Sequence, residues 1–597
     1  MPADEKGSAN ISRREFLEGT GMTTLALSAG GLGSIASIAP KSANAKSPSA
    51  AGDKKYNILF VLTDQERYFD PKTLPTGYSL PGRERIQRDG ISFINHQIAT
   101  AVCSSSRSVI YTGQHIQQTK VFDNLGFPWS NELSLDTPTI GKYLNDAGYF
   151  SAYQGKVHML DALEEVEIAD APDVNMDELN KIMQEYGFND YVGVGDIIGN
   201  TMGGYRTDEF TTSTAVRWLR TMPVQLADQP WFLAVNLVNP HDTMFYNTDV
   251  KGEAPVQADG AAMQINREPP HALYQRSWDM PLAESRNEAW DSAGRPRAHY
   301  NFQTARGALL GQFPDEDARW QRLQDYYLNC ISDCDRHVDR LLRELDELGL
   351  ADDTIVVMTS DHGELGGAHQ MHGKGSTAYR EQNHVPLWIR HPGYPGSAGT
   401  ECKALTSHLD LVPTLLGMAG IDAKKRESIN SNLPGHDISG LLADPKQASV
   451  NAVRDAALYN FNMWLFQDPD FLFQMIDAMR KGQDPGELGL QLDLDSRGAI
   501  RSVTDGHYRF SRYFSPKLHN LPSSIEELYK FNDVEMYDLE VDPNEMNNLA
   551  VDRRANGELL LTMNQKMTDV IAAEVGSDNG EFLPENKKGW AVTSFDP

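Results

Sequence analysis

The stretch AVCSSSRSVIYTGQH, residues 101–115, sets a cysteine, three serines and an arginine side by side. A helix opening near Ser104 and closing at Gly113 puts Cys103 at its N-terminus, where free backbone N–H groups favour an anion. Arg107 follows Cys103 by one turn and faces the same way. Such a setting suits a negatively charged nucleophile beside a bound oxyanion. The serines read as capping and packing residues of a polar helix start. Other groups able to bind ions or move protons stand far apart in the chain: Asp64, Lys156 with His158, His241, Asp361 with His362, and Lys374 with His372.

Four apolar runs lead into these residues. Tyr56 to Leu62 ends at Asp64, and Thr354 to Met358 ends at Asp361-His362. Trp231 to Val238 leads to His241, and Tyr149 to Tyr153 leads to Lys156 and His158. Continuous apolar runs of this length predict strands of a mostly parallel sheet buried on both faces. In such sheets the ligand crevice lies beyond the carboxyl ends of the strands, where all four sets of ionisable residues fall. A helix is predicted from Asp325 to Leu348, with Leu328, Ile331, Val338, Leu341, Leu342 and Leu345 on one stripe and Gly349 as its stop.

Cys103-Ser104-Ser105-Ser106-Arg107, continued by Tyr111-Thr112-Gly113, resembles the signature of the formylglycine-dependent sulfatases of the alkaline phosphatase superfamily. Matching segments follow in order: the Asp64 strand end, Gly155-Lys156-Val157-His158, Pro240-His241, Ser360-Asp361-His362-Gly363-Glu364 and His372-Gly373-Lys374. Val385-Pro386-Leu387, His408-Leu409-Asp410 and the late Tyr537-Asp538-Leu539 continue the match, which spans roughly residues 56–550. The resemblance implies an alkaline-phosphatase-like α/β fold: a central, mostly parallel sheet sandwiched by helices, with a smaller C-terminal subdomain containing an antiparallel sheet.

It also implies that Cys103 is oxidised to Cα-formylglycine (3-oxoalanine) by a formylglycine-generating enzyme. Asp64, the modified Cys103, Asp361 and His362 would hold one divalent cation, which the family implies to be calcium, a hard ion suited to oxygen ligands. Gln65, a further candidate ligand, stands where many sulfatases carry a second aspartate. That departure resembles the choline sulfatase and phosphonate monoester hydrolase branches and keeps manganese open. Ser105 departs from the Pro or Ala usual at its position.

In the implied mechanism one hydroxyl of the hydrated formylglycine, ionised against the metal and Arg107, attacks sulfur, while Lys156, His241 and Lys374 neutralise the sulfate oxygens and the charge developing on the leaving oxygen. His241, with Lys374, protonates the leaving oxygen, and His158 accepts the proton whose loss re-forms the aldehyde. His372 is read either as a site residue or as a loop residue. Glu364, His369, Glu381 and Asn383 are candidates for support. The expected reaction is hydrolysis of a small-molecule or saccharide sulfate ester. Phosphonate monoester or phosphodiester hydrolysis on the same residues is the alternative, as is a non-catalytic binder of sulfated ligands if Cys103 stays a thiol.

The 83 acidic against 54 basic residues give a net charge of −29, which repels nucleic acid and sets it aside as a partner. Four cysteines without metal spacing exclude a disulfide framework; Cys330 and Cys334 read as core residues. Residues 1–45 read as a twin-arginine signal peptide, with Arg13-Arg14, a weakly apolar run and Ala43-Asn44-Ala45 as cleavage site. They predict a periplasmic or secreted protein that engages the twin-arginine export machinery. No membrane span is expected. The catalytic domain is read over residues 54–440, with a long insertion at 243–324 of the kind that forms lids or binding loops. A C-terminal subdomain is read over 441–597, with antiparallel strands at Arg501-Ser502-Val503 and His507 to Phe510. The aromatic stretch from Phe461 to Phe473 is read as packing against the main domain, lining the pocket or forming a homo-oligomer interface.

Overall fold

In a computed structural model, which describes residues 54–583 apart from 128, 165–174, 194–200, 422, 432, 484–487 and 491, β1 (Asn57–Asp64) lies inside an eight-stranded sheet. The expected leader falls outside the described residues. The other strands are β2 (Ile91–Gln97), β3 (Phe150–Gly155), β4 (Asp190–Val192), β5 (Trp231–Pro240), β6 (Thr354–Ser360), β7 (Leu387–Arg390) and β8 (Thr400–Ser407). Their order is β4-β3-β5-β1-β6-β7-β2-β8. Strand β7 alone runs against its neighbours β6 and β2; the remaining pairs are parallel.

Both faces of β1 are covered, which is why its sequence does not alternate. Ile58, Phe60 and Leu62 pack into one apolar cluster, Leu59 and Val61 into another on the opposite face. Each such fully buried side chain contributes about 1.5–3 kcal/mol. Because β1 lies between β5 and β6, with Leu62 opposite Asn236 and Thr63 opposite Ser360, Asp64, His241 and Asp361 emerge together at one edge. The predicted convergence of strand ends is thus met.

The helix expected at Asp325–Leu348 runs from Asp317 to Glu347, two turns longer at its start. Its added residues Trp320 and Leu323 pack with Tyr246, Leu273 and Tyr274 of the insertion, contacts that periodicity within the helix does not reveal. Gly349 follows with a left-handed φ of 68°. The insertion, expected as a long loop, holds the helix Arg297–Leu310. Phe302 on that helix packs against Phe466, 4.9 Å between ring centroids, so part of the late aromatic stretch covers the insertion.

A separate antiparallel sheet of β9 (Ala457–Phe461), β10 (Ala499–Thr504), β11 (Tyr508–Phe514) and β12 (Asp533–Asp538) has the order β12-β11-β10-β9. The strands predicted near Arg501 and His507 fall in β10 and β11. The helix Arg553–Glu574 closes one face of this sheet through Leu560, Met563 and Met567. A bridge between Thr100 and Asn460 joins the two sheets three residues before Cys103. Among the described residues, no helix is long and apolar enough to cross a membrane.

Candidate active site

Asp64 closes β1, Asp361 and His362 follow β6, and Cys103 is the first residue of the helix Cys103–Thr112. One potential ligand atom from each of these four buried residues lies within 4.8 Å of the others. Cys103 Sγ stands 3.2 Å from His362 Nε2 and 3.6 Å from Asp64 Oδ1. His362 Nδ1 donates to the Gly363 carbonyl at 3.1 Å, which turns the lone pair of Nε2 into the group. Two carboxylates, an imidazole and a sulfur position converging in a dry site fit a divalent cation in charge and donor type.

The electrostatics of the site agree. Burial, and then the neighbouring Asp64, push the Asp361 carboxyl up to about 7. Burial acts against ionisation of Asp64 too, but Lys156, Lys374, His241 and Arg107 outweigh it and hold that group well below the usual carboxylate range. Lys156 Nζ lies 2.7 Å from Asp64 Oδ2. It reaches this point from a turn entered at Gly155, whose φ is 93° and where a Cβ would come within 2.2 Å of the Asn236 carbonyl. Only glycine fits that close approach.

Arg107 is fully buried and braces both acids. Its Nε donates to Asp361 Oδ2 at 3.1 Å, Nη2 to Asp64 Oδ2 at 3.3 Å, and Nη1 to the Lys156 carbonyl at 3.1 Å. The sequence reading placed Arg107 beside the nucleophile as an anion stabiliser. Its hydrogen bonds go to the two carboxylates, the Lys156 carbonyl and Asn236, and burial followed by Asp64 pushes the Cys103 thiol up to about 12. A helix N-terminus does not overcome desolvation beside a carboxylate. The unmodified sulfur is therefore a poor nucleophile here.

His241 begins the turn after β5 and is buried. Its Nε2 has no hydrogen-bond partner among the described residues. Burial, then Lys374, lower its pKa well below the imidazole range. Lys374 Nζ donates to Gln65 Oε1 at 2.7 Å and lies 3.8 Å from Asp64 Oδ1. Gln65 is thus a bridge: its Nε2 donates to Glu364, whose other oxygen accepts the amides of Gly366 and Gly373. The Gln65 side chain is engaged by Lys374 and Glu364, and His372 lies outside the four-residue group, against Phe313, Trp320 and Arg306. His158 is buried two residues beyond Lys156, with a φ of 53°.

Of the supporting candidates, Glu364 touches the site through Gln65. His369 stacks on Tyr379 and pairs with Glu288, and Asn383 binds the Ala378 carbonyl. Glu381 is only partly buried, with one carboxylate oxygen enclosed and unpartnered. The serines act as expected of packing residues: Ser106 donates to the Asp361 carbonyl and Ser104 accepts from the Leu125 amide. Ser105 Oγ is buried without a hydrogen-bond partner among the described residues. Sequence reasoning missed Asn236, whose Oδ1 accepts from Tyr111 at 2.7 Å and from Arg107 at 3.3 Å. A lone polar residue inside the apolar β5 run was the available signal.

Comparison with known proteins matches this arrangement to one family over most of the core. The family model for sulfatases fits residues 56–421. An N-acetylglucosamine-6-O-sulfatase of Bacteroides thetaiotaomicron is 25% identical over 600 aligned residues, covering 92% of each chain. Among solved structures, a 2-O GAG sulfatase superposes with a TM-score of 0.60 at 19% identity, covering 89% of this chain and 94% of its own. A phosphonate monoester hydrolase from Silicibacter pomeroyi does so with a TM-score of 0.60 at 20% identity, covering 88% and 96%. The sulfatase model covers more than half of the chain, including the Cys103 helix and the strand-end acids, and the chain belongs to the sulfatases.

Proposed function

We propose that the protein hydrolyses a sulfate ester, releasing inorganic sulfate and an alcohol or phenol, through a formylglycine at position 103 and one divalent cation. The observation that carries this reading is the convergence of Asp64, Cys103, Asp361 and His362, ringed by Lys156, Lys374 and His241. Asp64, Asp361, His362 and the modified residue 103 would hold the ion. Calcium suits the carboxylate-rich set, with manganese as the alternative. Bound there, the cation would lower the pKa of the attacking hydroxyl and polarise the sulfate.

The chain's own side chains do the rest. Lys156 and Lys374 bring positive charge to the sulfate oxygens, and Arg107 holds both acids in place. His241 together with Lys374 delivers a proton to the departing oxygen. His158 receives the proton that must leave residue 103 before sulfate is expelled. The named relatives support a sulfated saccharide as substrate. The Arg13-Arg14 leader supports export to the periplasm or beyond.

A panel of sulfate, phosphate and phosphonate esters tests the reading. Sulfate esters are expected to turn over fastest; preference for phosphonate monoesters would move the assignment to the neighbouring branch that the Gln65 position resembles. The two histidines should separate in rapid-mix kinetics. His241→Ala is expected to slow alcohol release, most for poor leaving groups. His158→Ala should allow one fast release per site and then stall. Equal slowing by both variants, with no burst, would remove this division of labour.

A further inference from the structure

Arg306 lies on the insertion helix Arg297–Leu310 and is only 3% exposed. A guanidinium cannot shed its proton, so native structures pair it when they bury it. Among the described residues, every other buried arginine except Arg512 lies within ion-pair distance of a carboxylate. Arg512 sits far off in β11 against Asn564, beside the Arg501–Asp578 pair. Arg306 stands at the catalytic rim. Its Nη2 donates to the carbonyl of Met244, three residues after His241, at 3.0 Å. Its Nε lies where a Cβ on Gly373, the neighbour of Lys374, would come within 2.5 Å.

Among the described residues no carboxylate lies within ion-pair distance of this charge. Glu364 is the one carboxylate that acts on it, and both its oxygens are already committed to Gln65, Gly366 and Gly373. The remaining neighbour is His372, whose Nε2 is 3.4 Å from Nη1. That ring is kept from protonating by burial and by Arg306 itself, so it adds no charge of its own. Burial accordingly drags the Arg306 pKa down to about 10, a penalty that an incoming anion would reverse.

We propose that Arg306, flanked by His372, receives a second anionic group of the substrate, a carboxylate or sulfate borne on the same molecule as the scissile ester. The inference rests on the sulfate-ester reading above and narrows it to substrates with two anionic groups. Among the described residues Nε of Arg306 has no acceptor, Nη1 has only the His372 ring nitrogen, and Nη2 spends one N–H on the Met244 carbonyl. The guanidinium therefore keeps N–H groups that an oxyanion could take as charge-assisted hydrogen bonds.

The test uses the full enzyme and matched monosaccharide sulfates: a monosulfate, the same sugar with a second sulfate, and the same sugar with a carboxylate. The wild type is expected to favour one doubly charged member over the monosulfate by about 30-fold in kcat/KM, the scale of a buried charge-assisted contact. Which member wins identifies the second group. Arg306→Gln should reduce that preference to about threefold or less while changing monosulfate turnover little, with Arg306→Lys intermediate. Equal losses on all three sugars would show that Arg306 merely ties the Met244 and Gly373 turns together, and would overturn the proposal. So would a wild type that hydrolyses all three alike, a result that needs no variant to fold. Absence of turnover on every sulfate ester would sink the reading on which the inference rests, and the inference with it.

Discussion

Cys103→Ala is expected to lower sulfate-ester turnover by a factor on the order of 10⁴ or more, because it removes the nucleophile and leaves only binding and charge stabilisation. Cys103→Ser should be nearly as inactive, since a serine ester of sulfate has no second hydroxyl from which to expel it. Mass spectrometry of the peptide carrying residue 103 should show the wild type lighter than the thiol form by about 18 Da, the change from CH2SH to CHO. The structure sharpens the expectation, because the unmodified thiol is buried beside Asp64 and held protonated. An active enzyme whose residue 103 is wholly thiol would falsify the formylglycine mechanism. The same result would also require some other group in the site to attack.

Asp361→Asn should abolish metal binding and activity together while leaving the fold in place. The carboxylate accepts from Arg107 Nε, the Gln65 amide and the His362 amide at 2.9–3.1 Å. Asparagine preserves the shape but removes the charge that a divalent ion needs. Bound metal, counted by elemental analysis, is expected to drop from about one ion per chain to less than a tenth, and activity by about 10³-fold. In chelator the variant should melt within about 5 °C of the wild type, because the crowding of Asp361 against Asp64 is relieved as one Arg107 contact weakens. A variant with full metal content and full turnover would place the cation elsewhere.

Much of the site was legible because its residues follow strands. Asp64, His241 and Asp361 could be read as neighbours once β1, β5 and β6 were seen as buried parallel strands, since parallel pairing aligns their carboxyl ends. The position of Lys156 followed in the same way from β3. What the sequence concealed depends on contacts between distant segments. The direction of β7 is not encoded in its short apolar run. The early start of the helix Asp317–Glu347 depends on Tyr246 and Tyr274. Arg306 is one arginine on a helix with no motif around it, and its lack of an ion pair exists only once the chain has folded and Glu364 is engaged by Gln65. The contacts of Arg107 have a similar origin: helical spacing told which way it faces, but not that two carboxylates would reach it.

All ten residues of the helix Cys103–Thr112 are buried, and their surroundings come from both ends of the chain. Ser106 is held by the carbonyl of Asp361, and the segment just before Cys103 is bridged to Asn460. A ribosome finishes the signature more than two hundred residues before it supplies either partner. The finished protein therefore hides the sulfur from any other enzyme. The oxidation of Cys103 proposed above would belong to the interval of synthesis in which the chain is still open. A molecule that closed before it was oxidised would stay inactive unless it unfolded, so the active fraction of a preparation would record a race between the modifying enzyme and folding.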